Sequence, residues 1–118
     1  MSDVWPTELR VQDSGAKLLV SFDDGTSYTL SAELLRVESP SAEVKGHGPG
    51  QEQLVFGKRR VTISKAEPIG SYAVRLIFSD THSTGLYTWN YLAKLGMGEK
   101  AIWQAYETKL KSEGKSRD

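Results

Sequence analysis

Lys17-Leu-Leu-Val-Ser-Phe22, Asp23-Asp24-Gly25 and Thr26-Ser-Tyr-Thr-Leu30 form the stretch on which the reading of the fold turns. Leu18, Val20 and Phe22 alternate with Lys17, Leu19 and Ser21, the period of a strand with one buried face. Asp-Gly supplies the positive φ that a tight hairpin turn needs, so residues 26–30 return as the partner strand. A further strand over residues 7–12 precedes this hairpin. Ser31 caps a short helix to about residue 36, with Leu34 and Leu35 turned inward.

Downstream the pattern continues in the same style. Residues 38–50 read as irregular, because Gly46-His47-Gly48-Pro49-Gly50 holds neither a helix nor a central strand. Strands are expected at 53–56, 60–66 and 71–78; in the last, Tyr72, Val74, Leu76 and Phe78 share one face. A helix follows over about 88–95, with Trp89, Leu92 and Ala93 on one face and Gly96 as its stop. A second covers about 99–112, where Ile102, Tyr106 and Leu110 recur every four residues with Trp103 beside them. The order is an antiparallel β-meander with one short inserted helix, then two C-terminal helices, which is an α+β arrangement. The 118 residues suit one domain, with a core over about 5–112 and a frayed, flexible tail over 113–118.

Composition narrows the chemistry. Fifteen basic residues balance fifteen acidic ones, so no overall field favours nucleic acid or an acidic membrane. The balance is uneven: residues 1–44 hold three basic and eight acidic side chains, residues 45–65 five basic and one acidic. The run Lys58-Arg59-Arg60 can meet a phosphate or an acidic partner, or can form a solvated hairpin rim, the ordinary fate of such a run. With no cysteine, disulfides, thiolate zinc and cysteine-held iron–sulfur clusters are excluded within the chain. No basic-then-apolar leader and no apolar run of membrane-spanning length is visible, so a cytoplasmic location is expected.

Catalytic motifs fail on inspection. The glycine-rich loop 46–50 is followed by Gln51-Glu52-Gln53, not by the Lys-Ser/Thr pair that serves phosphate and magnesium. Ser79, Asp80, His82 and Ser83 contain the atoms of a nucleophile–base–acid set, but residues this close in sequence seldom meet in that geometry, and no nucleophile elbow is present. They read instead as loop-shaping side chains that bond to the backbone. No catalytic residue is therefore assigned. The two histidines, His47 and His82, lie in loops near Glu43 and Asp80; brought together, they can ligate a divalent iron or zinc ion.

Three segments carry a resemblance. Leu35-Arg-Val-Glu-Ser-Pro-Ser-Ala-Glu-Val-Lys-Gly-His-Gly48, Pro68-Ile-Gly-Ser-Tyr-Ala-Val74 and Phe78-Ser-Asp-Thr-His-Ser-Thr-Gly-Leu-Tyr-Thr-Trp-Asn-Tyr-Leu92 resemble the gamma-butyrobetaine hydroxylase-like N-terminal domain family over about residues 5–112. The resemblance implies a domain that precedes the catalytic domain of carnitine-pathway dioxygenases, is appended to some iron–sulfur scaffold ATPases, or stands alone in bacteria. The stand-alone form is the expectation for this chain. It implies no dioxygenase activity, because that facial triad belongs to a separate domain and His47 leads into Gly48-Pro49.

The resemblance also implies a structural zinc site of pattern Cys-Pro-Cys-x-x-Cys with a later histidine. Its positions here are Ser39, Ser41, Val44 and His82, so three of four ligands are lost and His82 is expected to tie the two loops together by hydrogen bond and packing. The function expected is a non-catalytic accessory or binding module, linked through family company to iron–sulfur protein assembly. The unknown partner would be a protein rather than nucleic acid or membrane. Its interaction surface would use Glu43, Asp80, Tyr87 and Trp89, although helix spacing also places Trp89 in the core. No cofactor is required. The alternative is an iron- or zinc-binding protein using His47 and His82.

Overall fold

The computed structural model describes residues 4–45 and 54–118, without the side chains of Ala42 and Glu43. Strands β1 (Pro6–Gln12), β2 (Lys17–Phe22) and β3 (Ser27–Ser31) form one antiparallel sheet in that order. In β2, Leu18, Val20 and Phe22 are buried while Lys17 is exposed, as the alternation requires. The β2–β3 turn closes through the Gly25 N–H to the Phe22 carbonyl at 3.1 Å, with Gly25 at φ +89°. The Asp24 carboxylate accepts from both the Thr26 N–H (3.0 Å) and its hydroxyl (2.6 Å). Those bonds hold the Asp24 pKa below its ordinary value.

Helix α1 (Ala32–Val37) starts where Ser31 Oγ accepts the Leu34 N–H at 3.0 Å. It inserts Ala32, Leu34, Leu35 and Val37 into the core. A single helical turn, α2 (Ala42–Lys45), follows. It lies within a stretch expected to be irregular, and arises because the Ser41 carbonyl accepts both the Val44 and Lys45 N–H groups.

The second sheet is β4 (Ile63–Ile69), β5 (Ala73–Phe78) and β6 (Leu86–Thr88), again antiparallel and in that order. Several expectations shift here. Residues 54–56 are not a strand: the Val55 carbonyl is taken by the Tyr106 hydroxyl at 2.9 Å. β4 starts three residues later than expected and runs through Pro68, which an edge strand tolerates because no ladder bond is asked of its missing N–H. The turn at Gly70 (φ +54°) then occupies residues 70–72. Tyr72 therefore leaves the buried face and is 54% exposed, while Ala73, Val74, Leu76 and Phe78 are buried.

Thr88 caps α3 (Trp89–Met97) through its hydroxyl and the Tyr91 N–H at 3.2 Å. Gly96 does not end this helix. The chain continues to Met97 with Gly98 as the C-cap, and the missing side chain at Gly96 serves packing instead: a Cβ there would overlap the Tyr28 ring. Helix α4 (Glu99–Ser112) buries Tyr106 and Leu110 against Val37 in a satellite cluster. The two sheets meet at Gly15, where a Cβ would lie 2.6 Å from the Ile63 carbonyl oxygen. No helix among the described residues is long and apolar enough to cross a membrane.

The tail is also unlike its expectation. Ser116 and Arg117 carbonyls accept the Gly57 and Arg59 N–H groups at 3.0 and 2.9 Å, so residues 116–118 are held against the segment after Phe56.

Candidate functional site

The residue types that could carry chemistry converge where the end of α1 and the Ser39–Lys45 segment meet the loop between β5 and β6. That loop is built by its own backbone. Thr81 N–H bonds the Phe78 carbonyl at 2.9 Å and Phe78 N–H bonds the His82 carbonyl at 3.0 Å. Thr81 takes φ +73°, and the His82 N–H donates to Asp80 Oδ1 at 3.2 Å. The turn drives the imidazole inward. His82 is 7% exposed, with its ring centroid 6.2 Å from that of Phe78.

Across the gap, Ser39 is fully buried and its Oγ lies 2.9 Å from His82 Nε2. Ser39 Oγ also takes the Ser41 N–H at 3.3 Å, and the Thr84 hydroxyl donates to Ser41 Oγ at 3.0 Å. Gly85 makes this approach feasible, since a Cβ there would stand 2.5 Å from Ser39 Oγ. Val44 is buried in α2, on the cleft that Val37, Leu54 and Tyr106 also line. The floor is Tyr87, 0% exposed, whose hydroxyl donates to the Leu35 carbonyl. Burial pushes the Tyr87 pKa far up, against the smaller opposing effect of a hydrogen bond with Ser39, so it stays a neutral phenol.

The rim is ionic. Asp80 Oδ2 accepts from Arg36 Nε at 2.8 Å and from Lys58 Nζ at 2.6 Å. Burial alone would raise the Asp80 pKa, but the bonds from Lys58, the His82 N–H and Arg36 outweigh it and hold the value at about 2. The folded pKa is thus below the unfolded one. The stability this pair contributes is complete above the ordinary value of 3.8 and is lost as the pH falls towards about 2. We expect Asp80→Asn to cost about 1–2 kcal/mol at neutral pH, with the gap to the native chain closing on acidification. Urea midpoints measured at pH 7, 4 and 2.5 check this; a gap unchanged at pH 2.5 contradicts it.

Each residue singled out from sequence can now be placed. Ser39 and His82 are in hydrogen-bond contact and Ser41 is joined to them, while Val44 is buried in α2. Asp80 is locked in ion pairs. Tyr87 is not a surface anchor: full burial removes it from any partner's reach. Trp89 is half-buried against the core, with its indole N–H on the Ser71 carbonyl at 2.9 Å. His47 and the Glu43 side chain lie outside the described residues. Ser79 Oγ accepts the Thr62 N–H at 3.0 Å, while Asp80 meets His82 through the backbone N–H and the imidazole Nε2 lies on Ser39.

Lys58, Arg59 and Arg60 are not a bare cationic patch. Lys58 meets Asp80, and Arg59 and Arg60 meet Asp118 at 2.6 and 3.9 Å. Arg36, Thr84 and Gly85 were missed as members of the site. Only the charge run at Lys58 offered a signal, and it pointed outward.

The site does not fit the zinc ion that the resemblance implies. It offers one imidazole, two neutral hydroxyls already bonded within the site, and an alkyl side chain, whereas a structural site needs four thiolate or imidazole donors. Among the described residues no three His, Asp or Glu side chains form a group able to hold a metal.

Two packed three-stranded sheets with a helical C-terminus and a loop–loop lock define a small α+β domain. The family model for gamma-butyrobetaine hydroxylase-like, N-terminal matches residues 9–93, and the chain belongs to that family. Two solution NMR structures are similar to it. They are 41% and 43% identical, cover 99% and 98% of this chain and 92% and 86% of theirs, and give TM-scores of 0.85 and 0.84. A crystal structure of a protein of unknown function from Acidithiobacillus ferrooxidans ATCC 23270, of the DUF971 family, is 40% identical. It covers 77% of this chain and 91% of its own, with a TM-score of 0.64. No curated protein matches.

Proposed function

We propose that this domain is a non-catalytic accessory module that acts by binding another protein, and that its inherited zinc position has become a metal-free lock between two loops. One observation carries the reading: the side chains that could do chemistry are committed to one another. Ser39 is on His82, Thr84 on Ser41, and Arg36 and Lys58 on Asp80, at distances of 2.6–3.0 Å. Ser39 and His82 are buried, so the pair is shut off from a substrate, and the hydrogen bonds across it hold the two loops together. The reading takes the partner to be a protein of iron–sulfur assembly and gives the domain the role of holding a client or scaffold rather than transforming it.

The test is affinity capture from the native cell with the full chain as bait. One specific partner should be enriched, and Asp80→Asn, which loosens the lock without touching the opposite face, should reduce the recovery several-fold. Repeated capture with no partner enriched above an unrelated bait of similar charge contradicts the reading.

A further inference from the structure

The segment after α4 builds a contact of a different kind. Its backbone is anchored twice, by the Gly57 N–H on the Ser116 carbonyl and the Arg59 N–H on the Arg117 carbonyl. Between these anchors the Arg117 side chain turns into the domain. Its Nε donates to Glu33 Oε2 at 2.9 Å and its Nη2 to Glu33 Oε1 at 2.7 Å. The guanidinium carbon lies 4.9 Å from the centroid of the Trp103 ring. Glu33 itself is only 6% exposed, in the first turn of α1.

These features are matched to one another. A buried carboxylate is costly unless paired, and a bidentate guanidinium is its strongest side-chain partner. An indole face adds cation–π attraction, which guanidinium exploits better than ammonium. The cleft beside this pair, about 690 Å³, is lined by Leu34, Glu99, Lys100, Trp103, Glu107 and Arg117 among others, so besides the arginine its charges are two carboxylates and one ammonium. The two backbone N–H groups take the carbonyls of the arginine and of the residue before it, and the Asp118 N–H turns back onto Ser116 Oγ at 3.0 Å, so the segment docks as a turn anchored through its main chain.

We propose that Glu33, Trp103 and the Gly57 and Arg59 amides form a peptide-arginine binding site, which the chain's own residues 116–118 occupy in cis. The ligand class is a peptide segment with arginine at the seat. The tail is an internal ligand, held by these contacts at high effective concentration. The site adjoins the His82 lock through Lys58 and Arg36, which bond Asp80, but uses none of the lock's own side chains and stands whether or not the binding-module reading holds.

Amide exchange by NMR on the full chain tests the anchoring. The Gly57 and Arg59 amides should be protected in the native chain. They should exchange at least ~tenfold faster in Arg117→Gln and in Glu33→Gln, while the Leu18 and Leu76 amides keep their protection. Arg117→Lys, which retains the charge without the fork, gives intermediate protection and serves if the glutamine variant folds poorly. The seat is then probed with N-acetyl-arginine amide. It should shift the Trp103 indole resonance of Arg117→Gln, more than N-acetyl-lysine amide does, and leave that of the Glu33→Gln/Arg117→Gln double variant in place. Unprotected Gly57 and Arg59 amides in the native chain, or equal probe shifts in the single and double variants, would overturn the proposal.

Discussion

Replacing Ser39, Ser41 and Val44 together by cysteine is expected to yield a protein that binds one zinc ion per chain, with His82 as the fourth ligand. Three of the positions already converge: Ser39 Oγ is 2.9 Å from His82 Nε2 and Ser41 is bonded to Ser39 through its N–H, while Val44 follows in the turn of α2. Tetrahedral zinc with Zn–S near 2.3 Å and Zn–N near 2.1 Å sets sulfur and nitrogen about 3.5 Å apart. The longer Cβ–S bond carries the sulfur towards the imidazole, so the two loops must part by roughly 1 Å for the ion to fit. Structural sites of this kind release about 10–16 kcal/mol on binding zinc, which corresponds to nanomolar dissociation or tighter. Competition with a chromogenic chelator measures it. His82→Ala in the same background should weaken binding by at least ~100-fold. Weak binding that is indifferent to His82 would mean that the four positions do not share a centre.

The second large effect concerns Tyr87. It was a candidate surface anchor by residue type, yet it is wholly buried, with its ring 6.1 Å from that of Tyr91 and its hydroxyl on the Leu35 carbonyl. Tyr87→Ala should cost about 3–5 kcal/mol, the usual loss for an aromatic ring removed from a packed core. Tyr87→Phe, which strands only the Leu35 carbonyl, should cost about 1–2 kcal/mol. Urea midpoints of the three proteins read both values. A loss below ~1 kcal/mol for the alanine variant would contradict the packing and return Tyr87 to the surface.

Much of the scaffold is legible from short-range pattern. The alternation of Leu18, Val20 and Phe22 with an Asp-Gly turn yields the first hairpin, and the spacing of Tyr106 and Leu110 yields α4, because both signals are local and periodic. What escapes is short or long-range. β6 has three residues, too few to show a period. Gly96 looks like a helix stop in sequence, and only the Tyr28 ring against it explains why the helix passes through.

The site was less readable than the fold. Arg36 and Asp80 stand 44 positions apart and Arg117 and Glu33 84 apart, so neither ion pair leaves any mark on composition. Arg117 was read as part of a solvated tail for that reason. The pairing of Ser39 with His82, 43 positions apart, leaves no periodic trace either, and enters the sequence reading only through resemblance to a metal-binding pattern. A charge run such as Lys58-Arg59-Arg60 says that cations are present but not that Asp80 and Asp118 answer them.

The account rests on a lock that needs no metal, and elemental analysis of the untagged native chain tests that most directly. Zinc and iron together should stay below ~0.1 equivalent per chain and be unchanged in His82→Ala, since one imidazole and two engaged hydroxyls do not make a structural site. About one equivalent of either metal, lost in His82→Ala, would contradict the account and establish a metal centre on His82.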